Sequence, residues 1–336
     1  MTSARSGDRG GDRGGYIIEL LPSAPIRFTV DRLGPLVGLQ GAYGKVCSVP
    51  GHPDLAVKIL HDPDGQRLAD RLEALLYRWP AEVIVRDGRA RVAWPRGRVL
   101  RASDETLVGF AMDLFGPPVH EQLADVFLAG RRVSAASAPE RRTAVRLAAD
   151  LAETVARIHR DQHVIGDLAP PNLLVDVAGG IVVVVDVDGW QLRDHSGERI
   201  PCPSAREGYT PPEHLTDPLP WNGSGSTETV IRNQMSDRWS LAVVATQILL
   251  LGIHPFAGTA VDLAPYEPVD ERANVETQQC WVLGGAVHPP PGAPSPGVLP
   301  TEIRDLIRRC FADGYDQPRL RPPAAEWAGV LRSAVY

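Results

Sequence analysis

His163–Gln191 reads HVIGDLAPPNLLVDVAGGIVVVVDVDGWQ, and the fold is decided by how this stretch is read. An acid, Asp167, is followed five residues later by an amide, Asn172. Then come an apolar segment, a Gly-Gly turn, a β-branched run from Ile181 to Val185, and Asp186. The pattern predicts two short strands of a hairpin with polar groups at their ends. A carboxylate, a carboxamide and a second carboxylate at one edge of such a hairpin suit a hard divalent cation, because magnesium takes oxygen ligands and keeps substrate phosphates in its shell. Asp167 is then left to accept the proton of an attacking hydroxyl.

Working outward, the 336-residue chain is long enough for one large two-lobed domain or for two ordinary ones. With 43% hydrophobic and 23% charged residues it has the balance of a soluble globular protein. Its longest apolar run, Leu241 to Ile253, is broken by Thr246, Gln247 and Gly252, so no membrane span is expected. The N-terminus has no signal-peptide core, which predicts a cytoplasmic location. Cys47, Cys202, Cys280 and Cys310 form no C-x-x-C pair, arguing against a zinc site and a disulfide framework. A net charge of −6 without clustered arginines and aromatics excludes nucleic acid as the expected partner.

The cations are nearly all arginine, yet lysine is kept at two positions, Lys45 and Lys58. A compact ammonium aimed at a phosphate is not replaced by a planar fork without cost, which sets these positions apart. Lys45 lies in Gly38-Leu-Gln-Gly41-Ala-Tyr-Gly44-Lys45-Val46, where glycines between two strands let backbone N–H groups approach phosphates. Lys58 sits inside the apolar strand Leu55–Leu60, where an unpaired ammonium is costly and a partner is expected. The following helix, 66–78, offers Glu73, its sole glutamate, with Asp70 one turn earlier as the competitor. Residues 1–15, rich in Gly, Arg, Asp and Ser, are expected to be a disordered tail. An amphipathic helix is expected over 140–159, and further helices over the Asp237 segment to Leu251 and within 303–331.

In this order the motifs resemble the eukaryotic-like serine/threonine protein kinase family. Asp167 to Asn172 is similar to the catalytic loop H-R-D-L-x-x-x-N and Asp186 to the start of D-F-G. Gly41, Gly44 and Val46 match the Gly-rich loop G-x-G-x-x-G-x-V, Lys58 matches V-A-I-K, and Pro211, Pro212 and Glu213 resemble the Ala-Pro-Glu segment. Asp186-Val-Asp188-Gly-Trp-Gln resembles a bacterial branch of the family, often encoded beside phosphatase and von Willebrand A-type proteins. Such proteins are therefore implied as partners.

The resemblance implies an α+β, bilobal protein-kinase-like fold, with a small β-rich N-lobe over 16–114 and a larger helical C-lobe over 115–336. It implies ATP with Mg2+ or Mn2+ and transfer to Ser/Thr hydroxyls of an unidentified protein substrate. Lys58 and Glu73 are implied to orient the phosphates. Gly38, Gly41, Gly44, Lys45 and Val46 are implied to cover the nucleotide, Met112 to be the gatekeeper, and the backbone of Asp113 and Phe115 to face the adenine. Asn172 and Asp186 are implied to hold the metal, with Asp188 as the competing or sharing ligand. Asp237 is implied to hold the catalytic-loop backbone, and Arg321 to pair with Glu213. Leu39 stands where the first glycine of the Gly-rich loop usually sits, which leaves Gly38 one position early, and three further positions depart from the family. Ala169 stands for a lysine that meets the γ-phosphate, a role Lys45 is placed to take over. Gly166 stands for the H-R-D arginine, so little dependence on activation-segment phosphorylation is expected. Arg206 stands near the usual position of a threonine that touches the catalytic aspartate. A pseudokinase scaffold and a small-molecule kinase are the alternative readings.

Overall fold

The computed structural model describes residues 14–21, 26–37, 44–61, 65–77, 85–86, 88–130, 138–215, 231–260 and 270–334. Of the tail expected over 1–15, residues 1–13 lie outside the described residues, as do Gly38, Gly41 and the polar stretch 221–229, whereas Gly15 accepts from Ala102 N at 3.1 Å. Contacts divide the chain into two units, one of 1–79 and 94–117, the other of 80–93 and 118–336.

The first unit is an antiparallel sheet with one helix. Its strands are β1 (Tyr16–Leu20), β2 (Ile26–Val30), β3 (Gly44–Val49), β4 (His52–Leu60), β5 (Pro95–Arg101) and β6 (Leu107–Asp113), in spatial order β2-β1-β5-β6-β4-β3. Lys58 on β4 stands opposite Phe110 on β6 and Val46 on β3. Leu55, Val57 and Ile59 alternate with it and join Ile18, Val49, Val99 and Val108 in the core. Each such aliphatic side chain stabilises the fold by about 1.5–3 kcal/mol. The strand is buried from Leu55 to Ile59, which explains why its sequence is a continuous apolar run with a single interruption. Helix α1 (Gly65–Tyr77) buries Leu72 and Leu75. The Trp94 indole N–H donates to the Leu75 carbonyl at 3.1 Å, satisfying a carbonyl in the last turn of that helix.

The second unit is mainly helical. It contains α2 (Leu123–Gly130), α3 (Ala138–Arg160), α4 (Gln234–Leu249), α5 (Glu271–Glu276), α6 (Thr301–Arg308) and α7 (Ala324–Ser333). A small sheet joins β7 (Glu121–Gln122), β8 (Leu173–Asp176) and β9 (Ile181–Val184), with β8 between the other two. The hairpin expected from the opening stretch is therefore present, Leu173 opposite Val184 and Asp176 opposite Ile181. Asp150 of α3 fixes it, because its carboxylate accepts from Val182 N and from the buried Arg91 Nε, both at 2.9 Å. Helix α4 is buried on almost every side, so it has no amphipathic stripe. It starts at an Asn233 capping box closed with Ser236. Trp239 in α4 stacks with Phe256 and meets Phe311 edge-on, at centroid distances of 5.6 and 5.1 Å.

Strand β5 and helix α2 were not expected from the sequence. Arginines interrupt the apolar period of β5, and α2 falls within what reads as a polar connection after a Gly-Pro-Pro break. All four cysteines are buried and free. Burial pushes the Cys280 and Cys310 thiols up to about 12, which keeps them inert. Among the described residues no helix is long and apolar enough to cross a membrane.

Candidate active site

The loop carrying Asp167 is held from beneath by one carboxylate. Asp237, 1% exposed in the first turn of α4, accepts from Ile165 N and Gly166 N at 2.8 Å each. His159 Nε2, at the end of α3, meets the same carboxylate at 3.0 Å, so this histidine is a satisfied buried group. Two buried backbone donors and an imidazole thus share one anchor, which fixes the loop before any ligand arrives.

On that support Asp167 is bound by its own loop. Asn172 Nδ2 donates to the Asp167 carbonyl at 2.8 Å and to its Oδ2 at 3.2 Å. A single turn of 3-10 helix, Pro170–Asn172, brings the amide back over the acid, and Val185 N donates to the Asn172 carbonyl at 3.0 Å. Ala169 is fully buried under this turn. Asp186 follows β9 with φ 63° and ψ 38°, a left-handed conformation that Asp tolerates better than most residues.

Burial is the strongest influence on Asp167, and it pushes the carboxyl above its ordinary range. Arg206, the Asn172 hydrogen bond and Arg232 oppose that rise, while the charge of Asp186 adds to it. The electrostatic reach of Asp186 to Asp167 brings these two expected residues together. Asp188 sits in the 3-10 turn Val187–Gly189 beyond. Among the described residues no three His, Cys, Asp or Glu side chains cluster for a metal. The donor set is instead an amide and a carboxylate. With Asn172 Nδ2 turned to Asp167, its oxygen is left for a cation, and oxygen ligands fit magnesium.

Two arginines shape this loop. Arg206 Nη2 lies 3.7 Å from Asp167 Oδ2. Arg232, 4% exposed, is clamped through its backbone by Gln191, which donates to the Arg232 carbonyl and accepts from its N–H, both at 2.7 Å. Its guanidinium donates to Ser204 O at 3.3 Å, and its Cδ lies under Gly166. Gly166 has φ +79°, and a Cβ there would come within 2.8 Å of Cys202 and 3.2 Å of Arg232 Cδ. The space beside Gly166 is thus occupied by an arginine supplied 66 residues later in the chain. Sequence reading missed Arg232 because nothing in its flanking residues marks it. The Glu213–Arg321 pair was legible, and it forms as a fork at 2.7 and 2.6 Å with the guanidinium 5.1 Å over the Trp239 ring.

The nucleotide residues expected in the first unit are placed as follows. Lys58 is 6% exposed, Met112 is 9% exposed, and Gly44, Lys45 and Val46 open strand β3. Asp113 pairs with Arg96 at 2.6 Å, and Phe115 follows the end of β6. Glu73 is exposed on α1 and forms no ion pair among the described residues.

An antiparallel sheet region followed by a helical part, with an acid-amide loop and a following acid, defines a protein-kinase-like fold. A search with protein-family models found no match. The chain is 22% identical over 299 residues to protein kinase YegI of Escherichia coli K12, covering 88% of this chain and 43% of that protein. The same protein of Escherichia coli O157:H7 is 22% identical over 304 residues, with coverage of 87% and 43%. The chain therefore spans less than half the length of the curated relatives it matches. A rhoptry kinase from Toxoplasma gondii has a similar fold, with a TM-score of 0.59 at 13% identity, covering 95% of this chain and 82% of that one.

Proposed function

We propose that this chain is an ATP- and magnesium-dependent protein kinase that transfers the γ-phosphate to Ser/Thr hydroxyls of protein substrates. The observation that carries the reading is the grouping of Asp167, Asn172 and Asp186 on a loop anchored by Asp237. Magnesium, when bound, supplies charge neutralisation for the phosphoryl group that ATP donates. Asn172 and Asp186 are the residues assigned to hold it, with Asp188 as the competing ligand. Asp167 Oδ2 accepts the proton of the incoming hydroxyl, and Asn172 keeps that carboxylate aimed by its two hydrogen bonds. Lys58 is assigned to the nucleotide phosphates with Glu73 as its partner. Gly38, Gly41, Gly44, Lys45 and Val46 are assigned to cover the nucleotide, and Met112, Asp113 and Phe115 to face its base. Positioning and electrostatic stabilisation supply most of the rate in such a site.

A second reading, a nucleotide-binding scaffold without transfer, draws on a specific observation: Arg206 sits on the acid that has to act as base, while Glu73 is exposed. A small-molecule kinase is disfavoured by the fork between Glu213 and the buried Arg321, whose parts are motifs of the protein-kinase helical lobe. The deciding experiment is incubation with magnesium and γ-labelled ATP beside an Asp167→Asn control, followed by phosphosite mapping. Label on Ser or Thr that disappears in the control supports the kinase. ATP binding without label from either protein supports the scaffold.

A further inference from the structure

On the second unit, formed by the exposed side of α3, the β8–β9 turn and the end of α7, is a cavity of about 700 Å3. Its wall carries five arginines, Arg89, Arg91, Arg142, Arg146 and Arg332, in a chain whose net charge is −6. Three of them are matched to carboxylates. Arg91 is held by Asp150 at 2.9 Å, Arg89 by Asp176 at 3.3 Å, and Arg332 by Glu153. Arg142 and Arg146 have no carboxylate within ion-pair distance among the described residues. They stand at i and i+4 on α3, about 6 Å apart at their Cβ atoms, a like-charge arrangement that is unfavourable in an isolated helix.

The glycine turn is packed closely against Arg146. Gly180 has φ +66°, and a Cβ on it would meet Arg146 Nε at 3.0 Å and Cζ at 3.2 Å. Arg146 Nη2 donates to Gly179 O at 3.0 Å, so the guanidinium is pinned across the glycine turn with its remaining N–H groups unspent among the described residues. Arg91 and Asp150 set the cavity's inner wall as a rigid, nearly fully buried pair. Val145, Ile181 and Leu331 add an apolar side to the same cavity. Guanidinium forks match phosphate oxygens in shape and charge, and a space of this size suits a small molecule.

We propose that this cavity binds a small organic phosphate, its phosphoryl group held between Arg142 and Arg146 and its organic part against the apolar side. The site lies wholly within the second unit and does not depend on phosphoryl transfer by this chain.

Inorganic pyrophosphate, titrated calorimetrically into the full chain in EDTA, is the probe. The expected result is saturable binding that weakens at least tenfold in Arg142→Ala/Arg146→Ala and persists in Lys58→Met. Both arginines are exposed on α3, so the double variant is expected to keep the wild-type circular dichroism and melting curve. Absence of binding to the wild-type chain overturns the proposal. So does binding that survives the double variant and disappears in Lys58→Met, which would place the anion with the nucleotide residues instead.

Discussion

Arg206 Nη2 lies 3.7 Å from Asp167 Oδ2, so the acid assigned to accept the substrate proton already faces a cation. Burial raises the Asp167 carboxyl and Arg206 is the largest influence opposing it. Removing that charge therefore lets the carboxyl rise further, and a higher pH is needed to ionise it. In Arg206→Ala the acid limb of the pH-rate profile is expected to move to higher pH, whereas Arg206→Lys should leave it close to wild type. Titration of the Asp167 carboxyl carbon by NMR reads the same shift without relying on turnover. An unmoved carboxyl in the alanine variant would refute the assignment.

Gly166 and Arg232 form a second coupled pair. Introducing an arginine by Gly166→Arg puts a side chain at φ +79° and drives its Cβ to 2.8 Å from Cys202. The backbone strain alone costs about 1–2 kcal/mol, and the contact with Cys202 and Arg232 adds to it. Chemical denaturation should show the loss. Gly166→Ala isolates the strain and the Cβ contact, and Cys202→Ala in the same chain should recover part of the stability. Equal stability of Gly166→Arg and wild type would show that the loop has room for the missing residue.

Anchoring of the loop is tested at Asp237. Its carboxylate accepts from two backbone N–H groups and meets His159 in a buried setting. Asp237→Ala leaves these groups without an acceptor, a cost of about 1–3 kcal/mol for each buried polar group. Urea unfolding should place the variant several kcal/mol below wild type, and Asp237→Asn, which keeps one acceptor oxygen, between the two. Hydrogen exchange at Ile165 and Gly166 should accelerate in the same order.

Much of this architecture could be read from the chain because each element rests on local chemistry. The β8–β9 hairpin follows from a β-branched run with glycines between and α3 from its apolar period, while the Glu213–Arg321 fork was implied by the resemblance to protein kinases. What was illegible depends on long-range packing. Strand β5 is carried by its neighbours β1 and β6 despite three arginines. Arg232 reaches the Asp167 loop through a Gln191 clamp that no spacing rule encodes. Ala169 and Gly166 look like losses in the sequence, yet one is fully buried under the loop and the other makes room for Arg232 and Cys202.

The Glu213–Arg321 fork is expected to be unforgiving when halved. Arg321 is 1% exposed, so removing its partner leaves a buried guanidinium with only the Gly314 and Met235 carbonyls and the Trp239 face. Glu213→Ala is expected to cost about 3–5 kcal/mol. Replacing both residues, Glu213→Leu with Arg321→Met, should cost less than the sum of the single changes in a double-mutant cycle. Strict additivity would mean that the two side chains do not act as a pair.

The choice between Asp186 and Asp188 rests on which carboxylate faces Asp167. The charge of Asp186 is among the influences that raise the Asp167 carboxyl, so Asp186 is the one expected to share a cation with Asn172. Asparagine is the suitable replacement at φ 63°, since it tolerates the left-handed region and leaves the backbone undisturbed. Titration of Mn2+ in the presence of ADP should give affinity lowered by at least about tenfold in Asp186→Asn and nearly unchanged in Asp188→Asn. In the metal-free chain, Asp186→Asn should also lower the Asp167 carboxyl, because the repulsion that raised it is gone. A larger loss of metal affinity in Asp188→Asn than in Asp186→Asn would reverse the assignment and make the second acid the ligand.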